Sequence, residues 1–337
     1  MRVQECALPV GECVHCDYSS SPSKLAFSEI ARTNPELGNE NRAPKLTLSP
    51  LTSVGSIAFG AGLGVVAENF GTEDPRIAVG PDGTYHMMYT CVGGQPNASE
   101  YFLCQATSKA PASGQWQRLG PVLQPPHREG SKSGAIVVDP TGNGTSYLYW
   151  GDSSIRVAVS VPGQGLGEWE FKDRVLLQPR KSGFDSQLVE SGPPPLRLSD
   201  GNLLFLHNSA NTSLAYHPSW CVVNATSDPF SCQQRASAPL MTPTLDWQTG
   251  RPPALCNVPN VIFLEAAAPG TPAETDFGRK VLADRVRARA VGIGMGTGID
   301  GGVGADDMLA AGSADVFRVF YGGSDAAVGT ALIAVTS

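Results

Sequence analysis

"GTYHMMYTCVGG", residues 83–94, is followed by "YFLCQATSK", residues 101–109, so that a turn-rich connection joins two strand-like runs. The same unit occurs four more times. The other copies are "GECVHCDYSS" with "SKLAFSEI", "TSYLYWGDSS" with "IRVAVSV", "GNLLFLHNSA" with "LAYHPSWCVV", and "VFRVFYGGSD" with "GTALIAV". In each copy the first strand ends in an aromatic or polar cluster, and the second is rich in small residues. Five such units predict an all-β fold, a five-bladed β-propeller with four strands in each blade.

The composition agrees with a single all-β domain over residues 1–337. The chain has 38 Gly, 27 Pro and 16% charged residues, and amphipathic helical periodicity is almost absent. The formal net charge of −7 argues against nucleic-acid binding, which needs a basic face. No apolar run reaches the roughly 20 residues of a membrane-spanning helix. Residues 269–314 are rich in Gly, Ala and charge, so we expect them to form a long flexible insertion in the last blade.

Cysteines and glycosylation sequons favour the secretory pathway or an extracellular location. Cys91 and Cys104 bracket one turn-rich segment, Cys221 and Cys232 bracket another, and this spacing suits a cross-hairpin disulfide in each case. Four N-x-S/T sequons are present, at Asn97, Asn143, Asn211 and Asn224. The N-terminus lacks the apolar core of a signal peptide, so a cytoplasmic protein is the alternative.

Seven polar clusters lie at the ends of the strand-like runs. Because the inner strands of a propeller converge on its axis, we expect these clusters to line one pocket. In chain order they are "TEDPR" (72–76), "GSKSGA" (130–135), "YWGDSS" (149–154), "VESGPPP" (189–195), "LHNSAN" (206–211), "CNVPNVIFLEAA" (256–267) and "YGGSDA" (321–326).

This order of motifs resembles glycoside hydrolase family 130, the inverting mannoside phosphorylases and β-mannosidases. That family reads E-D-P-R, a Lys opening the next blade, G-P-P-P, a strand-ending His, P-N-V-V-F and Y-G-A-A-D. The resemblance runs from about Glu73 to Asp325 and also implies a five-bladed propeller.

The resemblance implies that Asp74 is the acid, which protonates the glycosidic oxygen through a mannose hydroxyl. Protonation of a leaving group needs a carboxylic acid in a pocket that raises its pKa. Lys132 and His207 match positions near the phosphate or nucleophile subsite, and Asp325 resembles a sugar-binding Asp. The expected substrate-binding set is Glu73, Arg76, Lys132, Trp150, Asp152, His207, Asn260, Tyr321 and Asp325, with Trp150 and Tyr321 stacking on sugar faces.

Three departures from the family pattern bear on the reaction. Family phosphorylases have His-Arg-Pro, whose Arg helps to hold phosphate, where this chain has Trp150, Gly151 and Asp152. Glu190 precedes S-G-P-P-P, where a carboxylate repels phosphate but deprotonates water. In the first blade "VHC" (14–16) stands where an arginine is expected, so this blade is a candidate for truncation.

We therefore expect inverting hydrolysis of β-mannosides, with Asp74 as acid and Glu190 as base and their carboxyl groups about 6.5–9.5 Å apart. One alternative is phosphorolysis to mannose 1-phosphate, with inorganic phosphate held by Lys132, Arg76 and His207. A further alternative is a non-catalytic carbohydrate-binding propeller. We expect no cofactor and no metal, because the single C-x-x-C at residues 13–16 has no partners for a zinc site. The expected partner is a mannose-containing oligosaccharide or glycan.

Overall fold

The computed structural model describes residues 2–3, 24–25, 68, 71–95, 98–111, 115–123, 131–250, 260–270, 272, 275–276, 279, 314–323 and 327–335. Within these residues the protein is all-β and propeller-like. Four sheets follow one another along the chain, and a two-stranded pair precedes them. No helix in this part of the chain is long and apolar enough to cross a membrane.

Each of the four sheets is built from strands that are consecutive in sequence. The two-stranded pair is β1 (Arg2–Val3) and β2 (Lys24–Leu25). The first sheet contains β3 (Gly71–Val79), β4 (Tyr85–Gln95), β5 (Ala98–Ser108) and β6 (Gln117–Pro121). The second contains β7 (Ala135–Val137), β8 (Tyr147–Trp150), β9 (Ile155–Ser160) and β10 (Trp169–Leu177). The third contains β11 (Leu188–Ser191), β12 (Leu196–Arg197), β13 (Leu203–Ala210), β14 (Tyr216–Val223) and β15 (Gln234–Arg235). One helical turn, α1 (Asp246–Thr249), precedes the fourth sheet, which contains β16 (Ile262–Pro269), β17 (Asp315–Gly323) and β18 (Ala327–Val335).

All strand pairs within the sheets are antiparallel, as in propeller blades. Strands pair with their sequence neighbours, except that β11 and β12 both pair with β13. The β3–β4 turn shows the local chemistry. The Gly80 amide donates to the Thr84 carbonyl at 2.8 Å, and Asp82 accepts a hydrogen bond from the Thr84 amide at 3.0 Å. Gly83 has a φ of +75°, which glycine adopts without steric cost. The Gly-Pro-Asp-Gly run therefore ends one strand and starts the next.

Apolar clusters between successive sheets form the core. Met88 and Leu103 of the first sheet pack with Leu148 and Trp150 of the second. A second cluster joins the second and third sheets, and it includes Tyr149, Ile155, Val189, Phe205 and Val223. A third cluster joins the third and fourth sheets, and it includes Leu204, Leu206, Ile262, Leu264 and Phe317. β3 lies beside both β7 and β16, so the first strand of the first sheet approaches the first strands of the second and fourth sheets.

Four blade-like sheets are described, whereas the sequence predicts five blades of four strands. The third sheet has five strands and the fourth has three. The remaining predicted blade falls on residues 1–67, where only β1 and β2 are described, and both lie beside β3. The fifth blade therefore stays a prediction. The predicted insertion of residues 269–314 starts too early, because Pro269 belongs to β16 and pairs with Phe317; nearly all of the rest lies outside the described residues.

The two predicted cysteine pairs differ in the structure. Cys91 and Cys104, on neighbouring strands β4 and β5, form a disulfide with a Cα–Cα distance of 5.9 Å. The predicted Cys221–Cys232 disulfide is wrong for this structure, because both cysteines are free thiols. The Cys221 thiol donates a hydrogen bond to Cys232 instead. Burial raises the pKa of Cys221, while this hydrogen bond lowers the pKa of Cys232.

Candidate active site

A β-bulge in β3 carries the predicted acid. Glu73 pairs with Thr90 and Arg76 pairs with Met88, so that Asp74 and Pro75 together oppose a single residue of β4. Asp74 has a φ of +49°, in the left-handed region that Asp tolerates better than most residues. Pro75 has no amide hydrogen to contribute to the ladder, which suits a bulge. The E-D-P sequence thus turns the half-buried Asp74 out of the regular alternation of the strand.

Arg76, the next residue but one, is buried and hydrogen-bonded to backbone carbonyls. Its Nε donates to the Gly192 carbonyl at 2.9 Å, and one terminal nitrogen donates to the Ser191 carbonyl at 2.9 Å. The other terminal nitrogen donates to the carbonyl of Asp74 at 2.5 Å. The guanidinium carbon also lies 5.5 Å from the centre of the Phe263 ring. Each nitrogen of Arg76 therefore holds one main-chain carbonyl, and the prediction that Arg76 binds substrate stays a prediction.

Glu190, the predicted base, lies on β11 with no exposed surface. Its Oε2 accepts a hydrogen bond from the Ser133 hydroxyl at 2.7 Å and lies 3.5 Å from Lys132 Nζ. Its Oε1 is buried and has no hydrogen-bond partner among the described residues. Burial raises the pKa of Glu190, Lys132 opposes that rise, and the charge of Asp74 adds to it. One oxygen is thus held in place, while the other is buried without a hydrogen-bond partner among the described residues.

The electrostatics of Lys132 show which side chains share the site. Glu190 raises the pKa of Lys132, burial opposes the rise, and Asp74, Tyr216 and Asp152 add to it. Asp74 comes from the first sheet, Glu190 and Tyr216 come from the third sheet, and Asp152 lies in the turn between β8 and β9. The structure therefore brings together four of the predicted residues, Asp74, Lys132, Asp152 and Glu190. The expected acid–base pair lies within one electrostatic cluster.

Two residues of the site were missed in the sequence. Ser133 stands next to Lys132 with a φ of +54° and donates to Glu190, but a serine before a strand carries no distinctive signal. Tyr216 begins β14, and its amide donates to the Asn260 carbonyl at 2.9 Å. Burial raises the pKa of the Tyr216 phenol, and the charge of Glu190 adds to this shift. The Tyr in "LAYHPSW" was visible in the sequence, but it lies outside the seven motifs.

Three predicted substrate-binding residues lie in the core instead. Trp150, 5% exposed, packs in the cluster between the first and second sheets, 5.9 Å from the Phe171 ring. Tyr321 packs in the cluster between the third and fourth sheets. His207 is fully buried, and burial lowers its pKa to about 3, with Arg235 and Arg180 adding to this effect. Rings buried in this way have no face available for stacking on a sugar.

The other predicted residues are placed as follows. Glu73 is buried at the bulge. Asn260 is exposed, and its carbonyl accepts a hydrogen bond from the amide of Tyr216 at the start of β14. Asp325 lies outside the described residues. Within the residues that are described, no group of three or more His, Cys, Asp or Glu side chains is arranged to hold a metal ion.

Known proteins resemble this chain over most of the region that forms the site. The sequence model of glycoside hydrolase family 130, described as beta-1,4-mannooligosaccharide phosphorylase, matches residues 63–270. A 1,2-beta-oligomannan phosphorylase of Thermoanaerobacter sp. (strain X514) is 31% identical over 193 residues, which are 57% of this chain and 59% of that protein. A beta-1,2-mannobiose phosphorylase of the same organism is 27% identical over 196 residues, 58% of this chain and 59% of that protein. The matches thus span about three fifths of the length of these relatives.

Solved structures share the fold at low sequence identity. A glycosyl hydrolase from Bacteroides ovatus superimposes with a TM-score of 0.63 at 20% identity, covering 100% of this chain and 81% of that one. Another structure gives a TM-score of 0.64 at 20% identity, covering 98% of this chain and 79% of that one. It comes from work stating that the GH130 family of mannoside phosphorylases contains glycoside hydrolases that target beta-1,2 mannosidic linkages in Candida mannan.

Proposed function

The chain belongs to glycoside hydrolase family 130, and from this premise we propose that it cleaves β-mannosides by inverting hydrolysis. Asp74 acts as the acid and Glu190 as the base. Asp74 gives a proton to the glycosidic oxygen as the bond from that oxygen to the anomeric carbon breaks. Glu190 takes a proton from the water that attacks the anomeric carbon on the opposite face, which inverts the configuration.

The buried Oε1 of Glu190 is the observation that carries this proposal. A carboxylate oxygen without a protein partner in the described residues is ready to accept a proton from water. Its neighbour Oε2 is fixed by Ser133 and faces Lys132, which keeps the carboxylate oriented and ionised. Burial raises the pKa of Glu190 and thereby strengthens it as a base.

The same carboxylate disfavours phosphate. Phosphate carries close to two negative charges at neutral pH and needs a surplus of cations. The two basic side chains next to Glu190 are already committed, since Arg76 is bonded to carbonyls and Lys132 faces Glu190. A carboxylate about 4 Å from a phosphate oxygen costs on the order of a few kcal/mol at a partly buried site. Water meets no such penalty.

Phosphorolysis is the second candidate, because both curated relatives are named as phosphorylases. In that reaction Lys132 contributes the main positive charge for inorganic phosphate, and the product is mannose 1-phosphate. The names of these relatives also suggest a substrate with β-1,2-linked mannose. We propose an oligosaccharide or glycan of this kind as the partner, with no cofactor or metal. A secretory-pathway location and glycosylation of the sequons stay predictions.

Incubation with β-1,2- and β-1,4-mannobiose, with and without phosphate, tests this proposal. We expect free mannose and no effect of phosphate on the rate. Glu190→Gln, which keeps the size of the side chain but not its basicity, should lose about 100-fold or more in activity. Mannose 1-phosphate from an active Glu190→Gln variant would instead establish phosphorolysis. Binding of mannobiose without turnover by the wild type would indicate a carbohydrate-binding module.

A further inference from the structure

We propose that Arg76 is a positioning residue that sets the distance between the acid and the base of this site. The inference rests on the roles proposed above for Asp74 and Glu190. Arg76 does not contact substrate in this proposal. It acts through the backbones that carry the two carboxylates.

The hydrogen bonds of Arg76 join the two halves of the site. One terminal nitrogen holds the carbonyl of Asp74 itself. The other terminal nitrogen and Nε hold the carbonyls of Ser191 and Gly192, which directly follow Glu190. These acceptors lie 115 and 116 residues away in sequence and belong to another sheet. A single side chain thus fixes the bulge of β3 against the end of β11.

The chemistry of a guanidinium suits this task. Its donors lie in one plane with fixed angles between them, so three acceptors bound at once must keep a fixed geometry. The ring of Phe263 lies 5.5 Å from the guanidinium carbon and adds a fourth support from β16. Lysine keeps the charge but offers one nitrogen on a flexible stem, so it cannot hold all three carbonyls in this arrangement.

The acid depends on this link more than the base does. Glu190 pairs in register with Asn208 of β13, and Ser133 holds its carboxylate independently of Arg76. Asp74 sits in a bulge with a left-handed backbone, where the strand ladder gives it no direct partner. Loss of Arg76 should therefore misplace Asp74 first. The affected step is protonation of the leaving group.

Arg76→Lys, assayed on two substrates, tests the inference. Cleavage of mannobiose needs an acid that protonates the departing mannose. The leaving group of 2,4-dinitrophenyl β-mannoside departs without protonation. We expect kcat on mannobiose to fall about 100-fold with little change in KM. The aryl mannoside should lose less than about tenfold. Arg197→Lys, an exposed substitution on β12, is the matched control and should leave both rates unchanged.

A second variant covers the case in which Arg76→Lys does not fold. Phe263→Leu removes the ring beneath the guanidinium and leaves its hydrogen bonds, so we expect the same split between substrates with a smaller loss. Equal losses on both substrates, or unchanged rates, in folded variants would overturn the inference. If the wild type releases mannose 1-phosphate, hydrolysis is refuted. The difference in rate loss between the two substrates still tests Arg76 in that case, because both reactions protonate the leaving group. An inert wild type would count against both.

Discussion

Ser133 controls the basicity of Glu190 through one hydrogen bond. The donated bond, 2.7 Å long, lowers the pKa of Glu190 against the rise caused by burial. Ser133→Gly removes the hydroxyl and tolerates the φ of +54°. The pKa of Glu190 should then rise, so the base is protonated at a higher pH. We expect the acidic limb of the kcat/KM profile to move to higher pH.

Ser153→Gly, which changes an exposed serine bonded to Asp152, is the control for this profile. Its acidic limb should match that of the wild type. An acidic limb in Ser133→Gly that stays in place while the rate falls would mean that Ser133 orients Glu190 without tuning its pKa.

His207 makes the fold sensitive to acid. Burial lowers its pKa to about 3, whereas an unfolded His titrates near 6.5. The unfolded state therefore binds the proton first, so stability is complete above about pH 6.5 and is lost as the pH falls towards 3. As the pH falls, we expect the free energy of unfolding to decrease less steeply in His207→Gln than in the wild type. The two slopes should differ by up to about 1.4 kcal/mol per pH unit. Urea unfolding at several pH values between 4 and 7 measures the difference.

Comparison with the wild type isolates His207, because the opposite contribution of the buried Glu190 is present in both proteins. Parallel curves for the two proteins would show that another group governs acid unfolding.

The structure brings the predicted acid, base and lysine into one electrostatic cluster, and their catalytic roles stay predictions. The structure buries Trp150, Tyr321 and His207, and a role for them in substrate binding stays a prediction. Side chains of a strand alternate between faces, and a one-residue difference in register decides whether a ring enters the pocket or the core. Trp150 precedes Gly151 at the end of β8, where both outcomes fit the pattern. Ser133 carried no sequence signal, since its role depends on the approach of Glu190 from another sheet.

At the scale of elements, the turn after β8 supports the lysine of the site. The Gly151 amide donates to the Lys132 carbonyl at 2.9 Å, and Gly151 has a φ of +120°. A Cβ placed there would lie 2.1 Å from the Ser154 carbonyl oxygen. Gly151→Ala should therefore destabilise the protein by about 3 kcal/mol or more and weaken catalysis as Lys132 moves.

Thermal unfolding and kcat of Gly151→Ala measure these effects. Gly142→Ala is the matched control, because its φ is +74° and a Cβ there meets nothing within 4 Å. It should cost about 1 kcal/mol and leave kcat unchanged. Equal destabilisation by the two substitutions would contradict the steric explanation.

Strands were predictable as elements, but their irregularities were not. The runs around residues 85–95 and 203–210 became β4 and β13, because alternating or apolar residues between turn signals suffice for a strand. The sequence around Asp74 gave no indication of the bulge there. An extra residue in one strand becomes visible only when the pairing of its partner is known.

At the scale of the whole molecule, substitution of Trp150 tests how much the packing between the first two sheets contributes to stability. Its indole fills the cluster between them, and the indole N–H has no partner among the described residues. Trp150→Leu should cost about 1–3 kcal/mol, since lost packing is partly offset by removal of that buried donor. KM for mannobiose should not change. If Trp150 stacked on sugar, KM would rise while stability held.

Urea unfolding and steady-state kinetics separate these outcomes. Leu214→Ala provides the control, because Leu214 is 52% exposed and outside the core clusters. Its stability should change by less than about 0.5 kcal/mol.

The number of blades is the property that the sequence predicted least securely. Four strand–turn–strand units became sheets, but the unit at residues 11–30 falls outside the described residues except for β2. Its run "GECVHCDYSS" contains few strand-favouring residues, and closure of a ring depends on contacts between the ends of the chain. Local pattern carries no information about such contacts.

Several of the hydrogen bonds between the sheets run from side chains to main-chain carbonyls. Besides Arg76, the bonds run from Gln105 to Leu166, from Tyr149 to Pro229 and from Ser191 to Tyr149. A main-chain carbonyl is present whatever residue occupies the position. Substitution at an acceptor therefore leaves the bond available, and selection acts on the donor alone. Co-varying positions report contacts between pairs of side chains. Among homologues, these hydrogen bonds should leave little trace of correlated change.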